Sequence, residues 1–478
     1  MLSATTSFIV DLFVLFACAV IAGEIAVHLG QVALVGQLLV GVVLGPTLLG
    51  PYLGLTSLTP QLGSLQFLAT VFILFISGLE VVPEDIIRGG ARPVVLGVAM
   101  FFGTFVVTSL VAIAFEPGLG TTTDFYIGLV LSITALPVMG IMLSEFGLLR
   151  TKMGNLLMGA ALINEISAVT VFAVMQQITS SGGNGYLSAV KALGLVTLFI
   201  GIMVTIHLSL RKIREARLWK PLTETFARTW RSKQGGFAIL MVMLVGSTLL
   251  SQFLGLTYVV GAFYAGMLVT RESAGVKAHR EISSIFDAMS WGFFVPLFFA
   301  FVGVEMNLQN LLHVPVLEAF FALLAAGIAA KILIGAGIAR VFDWRAADAK
   351  AIGYLVCSRG AVELAMATIL LQAGFIDTTI FTIVAAVGLV ATIIAPIGAL
   401  QSWLADEKSR EDMFRRAPSL RTKSPSVRQL RPPVDWATAS NASSPPPVQR
   451  ASPPSASVGA VDSTRLPLPP TRKRPPNR

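Results

Sequence analysis

A chain of 478 residues that is 54% hydrophobic and 13% charged, with a mean hydropathy of +0.77, has too little polar surface to be a soluble domain. The formal net charge of +9 sits in short connecting stretches and at the C-terminal end rather than on one basic face, which argues against nucleic-acid binding. Cys18 and Cys357 both lie inside apolar runs, so neither a disulfide framework nor a thiolate metal centre is on offer.

At the length a bilayer demands, about 20 residues per helix, candidate spans fall near 8–28, 32–49, 63–81, 94–115, 125–146, 156–176 and 188–210. Further spans follow near 236–254, 257–270, 290–304, 316–342, 351–373 and 378–403. The N-terminus has no basic residue and no small-residue cleavage pattern, so the first span reads as a retained helix rather than a signal peptide. Arg and Lys occupy alternate loops: 82–93, 147–155, 211–235, 271–289 and 343–350 are basic, whereas 50–62, 116–124, 177–187, 255–256, 305–315 and 374–377 contain neither. That alternation places the N-terminus outside and the C-terminus in the cytoplasm of a multi-pass protein of the cell membrane. Residues 1–404 form the membrane domain. After Leu404 the chain turns to Pro, Ser, Arg and Lys, and 405–478 reads as a disordered cytoplasmic tail with an unknown partner as one option.

Two short patterns recur at one offset. "VGQLLVGVVLG" in the second span matches "VGAFYAGMLVT" in the ninth, and "FISGLEV" in the third matches "AFVGVEM" in the tenth, so that Gly41 stands to Gly266 as Gly78 stands to Gly303. The basic-loop topology runs the two copies through the bilayer in opposite senses. Inverted repeats, spanning about 32–176 and 257–403, are the architecture of secondary transporters, whose sites lie near the midplane on interrupted helices.

Interruptions occur at corresponding places. In "LSITALPVMG" the residues Ser132, Thr134 and Pro137 predict a broken or bent helix, because proline removes one helical hydrogen bond and hinders another; back-bonding of the two hydroxyls to their own helix is the alternative. In "CSRGAVELA", Arg359, Gly360 and Glu363 sit at the matching depth of the twelfth span, with Arg359 and Glu363 spaced for a local ion pair or for a direct role in the site. Between them in the chain, "ALINEISAV" puts Asn164 and Glu165 in the middle of an apolar span, and "AGIAAKILIGAG" does the same for Lys331. An intramembrane ionisable residue is costly and marks function or a buried partner.

These segments together resemble the monovalent cation:proton antiporters, most closely the branch of Kef-type potassium efflux proteins and plant cation/proton exchangers. The likeness covers roughly residues 8 to 404 and is carried by "GQLLVGVVLGPTLLG" (36–50), "ILFISGLEV" (73–81), "LSITALPVMGIMLSEFGLL" (131–149), "GAALINEISAV" (159–169), "PLFFAFVGVEMNL" (296–308) and "SRGAVELAMA" (358–367). It implies an all-α polytopic fold of about 13 transmembrane helices, a core domain with two broken crossing helices, a dimerisation domain and a homodimer. It implies exchange of Na+ or K+ for H+, with no cofactor, and Glu165 as the carrier that binds cation and proton in competition. The family has aspartate at this position, so the extra methylene of Glu165 shifts the ligand position or the selectivity. Asn164, Ser132, Thr134 and Pro137 become neighbours of the ion, and Lys331 a counterion for Glu165 or Glu363. A Glu165 satisfied by a salt bridge to another helix is the structural alternative. A Kef-like efflux system with a separate regulatory subunit and a non-transporting sensor also stay open; an enzyme is disfavoured, since the four His are scattered and no nucleophile stands beside a base.

Overall fold

The computed structural model describes residues 4–29, 31–53, 59–80, 90–115, 120–180, 186–215, 235–269, 286 and 288–406. The proposed tail from 407 onward and most of the basic loops lie outside the described residues, as does the side chain of His207. Every candidate span contains helical backbone, and no strand occurs among the described residues.

The first half comprises α1 (Ala4–His28), α2 (Ala33–Leu44), the single turn α3 (Gly50–Leu53), α4 (Pro60–Leu79), α5 (Ala91–Phe115), α6 (Thr121–Ser132), α7 (Leu136–Glu145), α8 (Lys152–Ser180) and α9 (Tyr186–Glu215). The second comprises α10 (Gly235–Phe253), α11 (Tyr258–Met267), α12 (Val295–Glu305), α13 (Val314–Val341), α14 (Ala346–Leu355), α15 (Ala361–Gln372) and α16 (Thr378–Leu404). Among the described residues seven stretches are long and apolar enough to cross a bilayer, and shorter apolar stretches occur at 33–44, 190–206, 240–253, 258–267, 290–305 and 361–372. Starts are specified locally. The Thr59 hydroxyl accepts from the Leu62 N–H ahead of α4, with Pro60 in its first turn, and Asp377 Oδ1 accepts from the Ile380 N–H at 2.8 Å ahead of α16. Phe13, Leu110, Val242 and Leu333 point outward and exposed, an apolar surface that suits lipid rather than water.

Two packing groups emerge. One joins α1, α2, α4, α11 and α12; the other joins α5, α6, α8, α13, α14 and α16. In the first group the four repeated glycines meet crosswise. Gly41 on α2 faces Gly303 on α12, and Gly78 on α4 faces Gly266 on α11. A Cβ at Gly78 would lie 1.9 Å from the Phe263 carbonyl oxygen, and one at Gly266 would lie 2.0 Å from that of Phe75. Backbone is touching backbone, the packing that small residues allow where no hydrophobic force holds helices together in lipid. Gly266→Val is therefore expected to push α4 and α11 apart and lower the unfolding temperature in detergent, at a free-energy cost above the about 1–3 kcal/mol of ordinary overpacking. Gly63→Val, at a position with open space around it, serves as the control and should leave the unfolding temperature unchanged.

Candidate functional site

The second packing group contains both interruptions expected from the sequence. The first lies between α6 and α7, where Ile133 and Ala135 adopt extended backbone, and Pro137 falls in the first turn of α7, where its missing N–H costs nothing. The second spans Val356–Gly360, between α14 and α15. The two breaks cross and bond to each other: the Ala135 N–H donates to the Ser358 carbonyl at 3.1 Å, and the Thr134 hydroxyl donates to the Val356 carbonyl at 3.0 Å. Gly360 is needed at the contact, since a Cβ there would come within 2.8 Å of the Ala135 Cβ.

Each break strands backbone groups that must find partners in a place without water. Asn164 supplies two of them. Its Oδ1 accepts from the Thr134 N–H at 2.8 Å and its Nδ2 donates to the Ser132 carbonyl at 3.1 Å, so one amide replaces the helical bonds that the break removes. Glu165 Oε1 accepts from the Leu136 N–H at 2.9 Å, which sets a carboxylate at the N-terminus of α7, the end where the helix dipole favours negative charge. The ammonium of Lys331 donates to the Ile133 carbonyl, just past the last turn of α6, and to the Thr134 hydroxyl at 2.8 Å. That is the complementary end, where a cation is favoured. Asn164, Glu165 and Lys331 are all fully buried.

The sequence offers Lys331 as a counterion for Glu165 or Glu363. Its ammonium donates to a carbonyl and a hydroxyl; Glu363 acts on it through charge across a longer distance, and among the described residues no carboxylate makes a direct ion pair with it. Among the described residues Glu165 likewise makes no salt bridge. The Arg359–Glu363 pair does form, at 2.8 Å and fully buried. Ser132 takes the back-bonding alternative: its hydroxyl donates to the Leu129 carbonyl at 2.6 Å, and only its backbone carbonyl joins the crossing. Thr134 does the reverse, turning its hydroxyl away from its own helix.

Several buried polar atoms at the crossing have no hydrogen-bond partner: Glu165 Oε2, Ser358 Oγ, Glu363 Oε2, and Nε and Nη2 of Arg359. Such atoms are costly unless a ligand or proton uses them. A small cavity of about 30 Å³ opens beside the break, between Ala135, Pro137, Val138, Ala361 and Val362 on one side and Ile73, Ser77, Trp291 and Phe299 on the other. It lies between the first packing group and the half-helices α7 and α15. Thr392 on α16 was not anticipated: its hydroxyl accepts from the Arg359 N–H at 3.2 Å and contacts the Arg359 carbonyl at 3.1 Å, fixing the second break. One threonine in an apolar helix carries no signal of that task in sequence alone. Glu305 Oε2 accepts from Gln66 Nε2 at 2.8 Å, and Gln66 Oε1 in turn accepts from Gln372 Nε2 at 3.1 Å.

Paired half-helices whose ends converge on buried charges define a membrane transporter of the broken-helix class. The chain belongs to the sodium/hydrogen exchanger transmembrane family, whose model matches residues 13–401. It is 27% identical over 405 residues to the Na(+)/H(+) antiporter NhaS4 of Synechocystis, covering 80% of this chain and 94% of that one. It is 26% identical over 378 residues to cation/H(+) antiporter 18 of Arabidopsis thaliana, covering 77% of this chain and 45% of that longer one. Among solved structures the fold is similar to that of the sodium proton antiporter MjNhaP1 from Methanocaldococcus jannaschii, with a TM-score of 0.59 at 18% identity, covering 86% of this chain and all of that one.

Proposed function

We propose that the protein exchanges Na+ or K+ for H+ by alternating access, with Glu165 binding either the proton or the cation. The observation that carries this is the half-used carboxylate: Oε1 is held by the Leu136 N–H while Oε2, equally buried, has no partner. A lone buried carboxylate is stable only when neutralised, and a proton and a cation compete for the same oxygen. Coupling follows, because the core moves when either ligand has neutralised Glu165 and resists moving when the charge is bare. Asn164, Thr134 and Pro137 shape the break that presents this oxygen, and Lys331 holds the opposing half-helix end. Relatives named as Na(+)/H(+) and cation/H(+) antiporters support the substrate class.

On this reading the spans number about 13, the N-terminus faces outside and the C-terminus the cytoplasm of the cell membrane, and the chain is a homodimer. With a neutral Asn164 beside Glu165, and with Lys331 engaged by a carbonyl and a hydroxyl rather than by Glu165, one proton leaves for each monovalent cation bound. Exchange is then electroneutral. In sealed proteoliposomes with a set pH gradient, pulses of Na+ and K+ are expected to drive proton movement at initial rates unaffected by an imposed membrane potential. Rates that climb with potential would remove the one-for-one stoichiometry, and absence of any cation-dependent flux would remove the exchanger.

A further inference from the structure

Away from the crossing, a larger cavity of about 250 Å³ lies between the C-terminal end of α8 and the turn joining α10 to α11. Its polar lining comes from Gln176, Gln177, Gln252, Thr257 and Tyr258. The turn is well specified: Gly255, at a φ of 74°, lets the Leu256 N–H reach back to the Ser251 carbonyl at 2.8 Å and so places Thr257 at the cavity wall. Two lining oxygens, Gln176 Oε1 and Thr257 Oγ1, are buried without a hydrogen-bond partner. Neutral oxygens of this kind are ligands for hard cations. No carboxylate lines the space, so a cation bound there would keep much of its water and leave readily. The volume allows this, since six waters occupy about 180 Å³.

The cavity is also aligned with the carrier. Gln176 follows Glu165 on the same face of α8, about three turns or 16 Å further along. Val169 and Phe172, both fully buried, occupy the two intervening turns, and the Thr170 and Tyr264 hydroxyls bond at 3.2 Å across the α8–α11 contact. An apolar plug therefore separates a polar chamber from the carboxylate.

We propose that this chamber is an outer docking site, in which a hydrated monovalent cation is held by Gln176 and Thr257 before the plug parts and admits it to Glu165; this rests on the exchange reading above. The test uses the full chain and the variants Gln176→Leu and Thr257→Val. In proteoliposomes both variants are expected to raise the KM for Na+ or K+ several-fold with kcat retained, whereas a merely structural role would lower kcat or the unfolding temperature instead. Unchanged KM in both variants overturns the docking role while leaving the exchanger intact. Thallium, a monovalent stand-in visible by anomalous scattering, decides the cavity independently of transport. A Tl+ peak between Gln176 Oε1 and Thr257 Oγ1 that is lost in Gln176→Leu supports the site, and Tl+ bound only at Glu165 overturns it. Native vesicles that show no exchange count against the exchanger alone, because the Tl+ map still settles the chamber.

Discussion

Glu165→Gln is expected to reduce cation-dependent proton flux to the level of empty vesicles while leaving the protein folded. The amide keeps an oxygen for the Leu136 N–H, so the start of α7 retains its acceptor. What disappears is the charge and the proton-binding oxygen. The cost is small: the amide NH2 takes the place of an Oε2 that already has no partner, and a neutral group stands where a bare charge would be costly, so the unfolding temperature should change little. Flux and thermal unfolding measured on the same preparation separate the two effects. Equal flux in native and variant would shift the carrier elsewhere, with Glu363 the next buried carboxylate that has an unused oxygen. Glu165→Asp adds a finer comparison. Shortening the side chain by one methylene draws the carboxylate toward α8, so the bond to Leu136 and the position of Oε2 cannot both be kept, and the expected result is continued exchange with an altered preference between Na+ and K+.

Lys331→Leu is the second large effect, and it should appear first in stability. The ammonium satisfies the Ile133 carbonyl and the Thr134 hydroxyl at a place where no other donor is described. Leucine fills much of the volume but donates nothing, leaving an orphan carbonyl past the end of α6 at about 1–3 kcal/mol and removing the charge that complements the half-helix dipole. The crossing loosens as a consequence, because Thr134 also bonds Val356 of the second break. A lower unfolding temperature and slower exchange are expected together. Lys331→Gln, which can still donate to the carbonyl, should recover part of the unfolding temperature. Were Lys331 chiefly a counterion, neutral glutamine would recover nothing, so the leucine and glutamine variants distinguish capping from charge pairing.

Some of this is legible in the residues themselves. Pro137 announces an interruption because its ring is incompatible with a helix interior, and the break indeed falls immediately before it. Arg359 and Glu363 are close enough in sequence to announce their own contact, although Arg359 stands in the break ahead of α15 and reaches Glu363 in the first turn rather than along a helix face. Asn164 and Glu165 stand out because a bilayer interior makes every polar side chain an expense that needs a reason. By contrast, nothing in the residue types said that Ser132 would turn back on its own helix while Thr134 turned away, as both are small hydroxyls two positions apart with the same local options.

The sequence by itself determined the class of the protein, because apolar length, charge spacing and helix-breaking residues are local properties that a bilayer converts directly into spans and interruptions. It also pointed to the duplicated glycines, although not to what they touch. The tertiary structure alone decided the partners. The crosswise meeting of Gly41 with Gly303 and of Gly78 with Gly266, the Lys331 ammonium on a carbonyl rather than a carboxylate, and Thr392 clasping Arg359 all depend on how distant helices are set against one another. A hydrogen bond is made or lost over a fraction of an ångström, and that precision arises only when the whole set of helices packs.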